Sequence, residues 1–121
     1  MNDAYYNLLR DGQVILDGIP VLKEVCLIPF KAKAWIDLNE RKGNGEAVDS
    51  KNIKKHKNDV FRLGQLLTAE SRQALGEDIA NDMKHFLNEM EKENVDLKAL
   101  GVRGFSQESM ISLLKNCYGI E

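Results

Sequence analysis

The sequence predicts an α+β fold that is mostly helical, with a short N-terminal β-hairpin or strands followed by about four helices. Up to residue 22, short apolar runs alternate with Asp-Gly pairs at 11–12 and 17–18, and such pairs are strong turn signals. From residue 23 onward, apolar residues recur at helical spacing between polar or glycine-rich breaks. We therefore expect one domain over 1–121, with strands in 1–22 and a helical part in 23–121.

The N-terminal part contains apolar runs at 4–9, 14–16 and 19–22, which we interpret as two or three short strands. Pro20 has no backbone N–H, so the last run should be an edge strand or the entry to a strand. Strands so few and so short are not stable alone. They should lie against the helices, or pair with a second copy or a partner chain.

The first two predicted helices are separated by a polar loop. The first begins near Glu24 or Leu27 and ends near residue 42, because the glycine-rich turn 43–45 stops a helix. Pro29 is tolerated only near a helix start, so the regular part should begin close to it. The second helix is capped by Asp49 or Ser50 and reaches about residue 67.

Two further helices follow. Thr68 should cap the third, which extends to about residue 92 with Gly76 as a point where it can bend or break. A loop over 93–105 carries its own apolar anchors. Ser106 should cap the last helix, whose apolar residues again recur at helical spacing.

Composition excludes several classes of protein. The net charge is −2 in 121 residues, so no overall field draws the chain to nucleic acid or to a membrane. No apolar stretch approaches the ~20 residues that span a bilayer, and the start lacks the features of a signal peptide. Cys26 and Cys117 stand far apart without metal-ligand spacing. We expect reduced core thiols in a cytoplasmic protein.

Several catalytic motifs are absent from the sequence. No Asp-x-Asp or Glu-x-Asp pair supplies the two carboxylates of a polymerase-type metal site. No glycine-rich phosphate loop of a standard kind occurs. We therefore assign no catalytic residue and no metal ligand.

Lys31 is the first candidate binding residue. It lies at helical spacing from Leu27, Ile28, Ala34 and Trp35. A partly desolvated ammonium there can hold a triphosphate as a point charge. Alternatively, the side chain runs along Trp35 to water. Lys33 lies on another face, and we expect it to be solvated.

The second candidate is the lysine-rich start of the second helix, with Lys51, Lys54, Lys55 and Lys57. These cations oppose the helix dipole. They form either a patch for an acidic substrate or simply a solvated face.

Two neighbouring positions extend this region. Asp59 follows Lys55 by four residues and precedes Arg62 by three, so it either forms local ion pairs or orients a lysine of the neighbouring helix. His56 should face inward between Ile53 and Val60, as a core histidine or as a base.

At these two helices the sequence resembles the C-terminal half of the AbiEii/AbiGii-type nucleotidyltransferase family, which includes toxins of type IV toxin–antitoxin systems. The stretch 19–22 (IPVL) followed by 27–34 (LIPFKAKA) is similar to that family's strand and its helix with a nucleotide-contacting lysine. The stretch 55–63 (KHKNDVFRL) is similar to a later helical motif, usually an Arg-Asp pair followed by Asp-Leu. The resemblance covers most of the chain.

The resemblance implies roles for three residues. Lys31 would contact the nucleotide phosphates, Asp59 would hold Lys31 or the nucleotide, and Lys55 would replace the family's arginine. His56 stands where the family has its first aspartate. The family's Gly-Gly/Ser turn and Asp-x-Asp ligands do not occur here, which implies a remnant, a truncated frame or an expressed C-terminal portion.

The predicted function is therefore a nucleotide- or phosphate-contacting helical subdomain with little catalysis by itself. Magnesium and a nucleoside triphosphate are implied only for an intact parent, and RNA is the implied acidic substrate of the face over 51–57. The alternative is a stand-alone helical module that forms a homodimer or binds a protein partner through its N-terminal strands. A third option is a nucleic-acid-binding domain that uses the basic start of the second helix, which the net charge disfavours.

Overall fold

The computed structural model describes residues 5, 7–8, 10, 13–16 and 19–120. Four α-helices form the body of this described part: α1 (Glu24–Gly43), α2 (Ser50–Gly64), α3 (Glu77–Lys92) and α4 (Gln107–Tyr118). Helix α1 packs against α2 and α3, and α4 packs against α3 and α2. Two strands of four residues each, β1 (Gln13–Leu16) and β2 (Ile19–Leu22), precede the helices.

The predicted α+β class is wrong, because the packed body is all-helical. Part of the first predicted strand, 4–9, is helical instead, at Tyr5 and Leu8. Strands β1 and β2 pair with each other in antiparallel register, and helices pack on helices. A ribbon of two such short strands cannot supply a sheet layer, so the helical stripes decide the class. The two Asp-Gly pairs lie outside the described residues.

Helix α1 contains Pro29 in its sixth position rather than at its start. A proline there removes the N–H that would bond to the carbonyl four residues earlier, which belongs to Val25. The Tyr118 hydroxyl donates a hydrogen bond to that carbonyl oxygen at 2.8 Å. The last helix therefore supplies the donor that the first helix lacks, and the expected start near Glu24 is confirmed.

Helix α2 begins as predicted and ends three residues early. The Asp49 side chain accepts a hydrogen bond from the backbone N–H of Lys51 and so caps the helix. The helix ends at Gly64, and backbone bonds from Leu66 and Leu67 to carbonyls three residues earlier tighten the chain into a turn. Leu67 is buried beyond that turn.

Helix α3 starts at Glu77, so the predicted start at Thr68 is wrong. The segment between forms turns, because the Arg72 guanidinium donates to the carbonyls of Ala69 and Ser71. The backbone N–H of Gln73 donates to the Cys117 carbonyl in α4. These contacts divert the chain from a helix, and α3 begins after the extended residue 76.

Helix α4 has a capping box. The Ser106 side chain accepts from the Ser109 N–H, and the Ser109 hydroxyl accepts from the Ser106 N–H. The helix ends at Tyr118 and is followed by Gly119, whose φ of +66° is left-handed and suits glycine. The predicted cap at Ser106 is confirmed.

The core lies between the four helices. Trp35 of α1 meets Phe86 of α3 edge-to-face, with ring centroids 5.3 Å apart, and Phe61 of α2 is fully buried. Both cysteines are buried as predicted. The Cys26 thiol donates to the Gln73 side-chain oxygen at 3.5 Å, and burial raises the pKa of the Cys117 thiol. The cysteines therefore lie in the core as expected, together with these aromatic side chains.

Candidate functional site

The candidate site lies where α1 crosses α2. Ile28, Ala32 and Trp35 form the buried face of α1, and Lys31 lies at the border of that face with its side chain 27% exposed. The lysine is therefore partly desolvated, and its stem is held by the helix that carries it. Of the two expectations, this exposure is closer to the partly desolvated ammonium than to a side chain that extends into water.

The Lys31 ammonium forms an ion pair with Asp59 across the two helices. Lys31 Nζ lies 3.2 Å from Asp59 Oδ2, and the Asp59 side chain is only 19% exposed. The other carboxylate oxygen, Oδ1, lies 3.6 Å from a guanidinium nitrogen of Arg62. One carboxylate thus holds two cations, and Asp59 both forms a local ion pair and orients the lysine of the neighbouring helix.

His56 lies beside this pair and is incompletely bonded. Its Nδ1 atom is buried and has no hydrogen-bond partner among the described residues. Burial lowers the pKa of His56 below 6.5, the positive charges of Lys31 and Lys55 lower it further, and Asp59 opposes them. Burial and the two lysines thus favour the neutral imidazole, and its inward position agrees with the spacing.

The remaining lysines of α2 divide into two groups. Lys51, Lys54 and Lys55 are exposed and form no ion pair within the described part of the chain. Lys57 is only 15% exposed, and its ammonium bonds to Glu93 Oε2 at 2.9 Å. The proposed acidic-substrate patch therefore has Lys51 and Lys54 at the surface, whereas Lys57 is already paired.

Lys33 is not simply solvated. Its ammonium lies 3.2 Å from an oxygen of Asp37 and 3.8 Å from one of Asp82. Asp82 also accepts a hydrogen bond from the Tyr5 hydroxyl at 2.8 Å. Lys33 therefore belongs to a contact that joins α1 and α3 to the N-terminal segment, away from the Lys31 pair.

Sequence reasoning missed the partners that lie beyond α2. Glu93 follows α3 and neutralises Lys57, and the Leu100 carbonyl accepts from Arg62 Nε at 3.5 Å. Both contacts join residues more than thirty positions apart. No local pattern signals them, since each depends on how the loop after α3 returns to α2.

No group of three or more side chains of the metal-binding types, His, Cys, Asp and Glu, is placed to hold an ion within residues 19–120 and the shorter described segments before them. In the same part of the chain, none of the helices combines the length and the apolar composition that crossing a bilayer requires.

No protein-family model, no curated protein and no solved structure matches this chain.

Proposed function

We propose that this chain is a nucleotide- or phosphate-contacting helical subdomain of the nucleotidyltransferase-like type, with little catalysis by itself. The observation that carries the proposal is the ion pair between Lys31 and Asp59, which joins α1 and α2 at 3.2 Å. The sequence resemblance implies a phosphate contact for Lys31, with Asp59 holding either Lys31 or the nucleotide. Lys55 lies one turn before Asp59 on the same face of α2 and adds a further positive charge.

The pair is suited to hold a phosphate because its ammonium is already oriented. Asp59 fixes one direction of Lys31 Nζ, and an ammonium has three donors, so two remain for phosphate oxygens. Less side-chain entropy is then lost when a ligand binds. The two positive charges of Lys31 and Arg62 outweigh the single negative charge of Asp59, and Lys55 adds a third positive charge. The region therefore keeps an attraction for anions although its acid is neutralised.

A nucleotide titration of the full chain tests the proposal. We expect at least one of ATP, CTP, GTP and UTP to bind in calorimetry, and Lys31→Ala to weaken that binding about tenfold, because a hydrogen bond to a charged group contributes about 1.5–3 kcal/mol. Lys33→Ala is the matched control, since Lys33 lies on the same helix and also has carboxylate partners. It should change the affinity less than about twofold, because its cation is already engaged away from the site.

Two results would contradict the proposal. The first is no binding of any nucleotide to the parent chain, and the second is equal weakening by Lys31→Ala and Lys33→Ala. Transfer of a nucleotide to an acceptor by the purified chain with magnesium would contradict the part that concerns catalysis. A tight dimer on sizing, together with no nucleotide binding, would favour the alternative of an interaction module.

A further inference from the structure

A polar groove lies beside α2, and Lys31 of α1 is not among its lining residues. It has a volume of about 380 Å³ and runs between α2 and the loop after α3. From α2 it is lined by Lys54, Lys57, Asn58 and Arg62, which recur three or four residues apart and so share one face. Lys31 and His56 do not line it. The groove therefore shares Arg62 with the ion pairs around Asp59 but not Lys31 itself.

The loop that forms the opposite wall is held in place by Gln107, the first residue of α4. The Gln107 side chain donates to the carbonyls of Met90 and Glu93 and accepts from the Val95 N–H. Asp96 Oδ1 accepts from the Ala99 N–H at 3.2 Å, and Leu97 is buried in the core. The wall is thus fixed before any ligand binds, which reduces the entropy that binding costs.

The groove offers cationic hydrogen-bond donors to an anion, and two of its three cations are paired with acids. Three cations line it, and Asp96 is the acid among its lining residues. Lys57 is partly neutralised by Glu93, and Arg62 is held at the rim by Asp59 and by the Leu100 carbonyl. Lys54 is exposed and has no ion pair in the described residues. It is therefore the cation most available to a ligand.

The donors suit phosphate oxygens in particular. Lys54 supplies a mobile point charge, Arg62 a planar guanidinium and Asn58 a neutral amide. Asn94 of the loop lies across the groove from them and offers a second amide. Cationic and amide donors on two walls can reach several oxygens of one tetrahedral anion.

We infer that this groove binds a phosphate group, carried either by a small phosphorylated molecule or by a nucleic-acid backbone. The inference goes beyond the proposed function, because it uses a different face of α2 and does not depend on Lys31. Both sources present the same chemistry to Lys54, Asn58 and Arg62. They differ in length, since a backbone would extend from the groove toward the exposed Lys51 at the start of the helix.

The test is a titration of the isotope-labelled full chain followed by NMR at constant ionic strength. Pyrophosphate is the small probe and a single-stranded oligonucleotide is the polymer probe. We expect amide signals of Lys54, Asn58 and Asn94 to shift with at least one probe. Shifts with pyrophosphate would identify a small ligand, and shifts with the oligonucleotide alone would identify a backbone.

Charge-reversal variants separate a site from general attraction. Lys54→Glu should weaken binding at least about tenfold, whereas Lys84→Glu, an exposed lysine of α3 outside the groove, should change it less than about twofold. Lys31→Ala should leave this binding intact, which distinguishes the groove from the nucleotide site. Equal weakening by the two reversals, or no localised shift with either probe, would overturn the inference.

Discussion

At the scale of single residues, one carboxylate organises the candidate site. Asp59 lies between Lys31 of α1 and Arg62 of α2, and His56 lies on the same side with a buried, unbonded Nδ1 in the described structure. Burial lowers the pKa of His56, and the neighbouring ammonium of Lys31 acts in the same direction. The pKa of His56 therefore depends on the charges of Lys31 and Asp59 beside it.

This arrangement predicts a pH dependence of stability. The unfolded chain takes up the His56 proton near the ordinary pKa of 6.5, whereas the folded protein does so only at lower pH. Because the unfolded state then binds more protons, the free energy of unfolding should decrease as pH falls from about 6.5 toward the folded pKa. Denaturant melts between about pH 5 and pH 8 would measure this slope.

Two variants check the cause of that slope. His56→Gln should remove the contribution of this residue, because glutamine does not titrate. Lys31→Ala should reduce it, since the pKa of His56 rises toward its ordinary value when the neighbouring positive charge is lost. A parent slope that both variants leave unchanged would show that other groups cause the pH dependence.

At the scale of helices, the contact between α2 and α4 depends on a residue without a side chain. A Cβ atom placed on Gly64 would lie 2.7 Å from the Met110 sulfur and 3.7 Å from a methyl of Leu114. Met110 and Leu114 are both fully buried, so the Met110 thioether would have to shift within the core to relieve the contact. Gly64 therefore permits the close approach of the two helices.

Gly64→Val should lower the free energy of unfolding by about 1–3 kcal/mol, because it forces extra atoms into a packed core. Gly43→Val is the matched control, since a Cβ at that helix end meets nothing within 4 Å. The control should stay within about 0.5 kcal/mol of the parent. Equal effects in urea melts would indicate that helix propensity, and not packing, decides the result.

Local patterns predicted the helices better than the contacts between them. Residues near each helix end determine three features: the start of α1, the cap of α2 at Asp49 and the cap of α4 at Ser106. These features were therefore predictable from local sequence. The start of α3 was missed because Gln73 bonds to Cys117, more than forty residues away. The overestimate of the strands has a similar origin, since the apolar run at 4–9 is also compatible with a helix.

The candidate site was partly predictable for the same reason. Lys31 and Asp59 lie at helical spacings that bring both to the junction of α1 and α2, and the structure places them in contact. The pair of Lys57 with Glu93 was not predictable, because the loop after α3 has no motif that fixes its path. The groove beside Lys54 depends on the path of that loop, so local sequence patterns do not reveal it.

At the scale of the whole molecule, the two ends of the helical part are joined by one hydrogen bond. The Tyr118 hydroxyl donates to the Val25 carbonyl, which Pro29 leaves without its helical donor. Buried backbone carbonyls are nearly always bonded. The tyrosine of α4 therefore compensates for a proline of α1.

Tyr118→Phe should lower the free energy of unfolding by about 0.5–1.5 kcal/mol, because it removes the donor to a partly buried carbonyl. That corresponds to a decrease in Tm of about 4 °C per kcal/mol in a chain of this size. In a Pro29→Ala background the same change should cost less, since position 29 then has a backbone N–H that can bond to the Val25 carbonyl within the helix. A double-mutant cycle by calorimetry measures the difference, and equal costs in both backgrounds would contradict the compensation.

The same bond has a consequence for synthesis of the protein. Its donor and acceptor are separated by 93 positions, so the donor does not exist until long after a ribosome has made the acceptor. Until then, the nascent first helix depends on water at the Val25 carbonyl. Truncations that remove residue 118 should therefore destabilise the first turns of α1, even though every residue of α1 is still present.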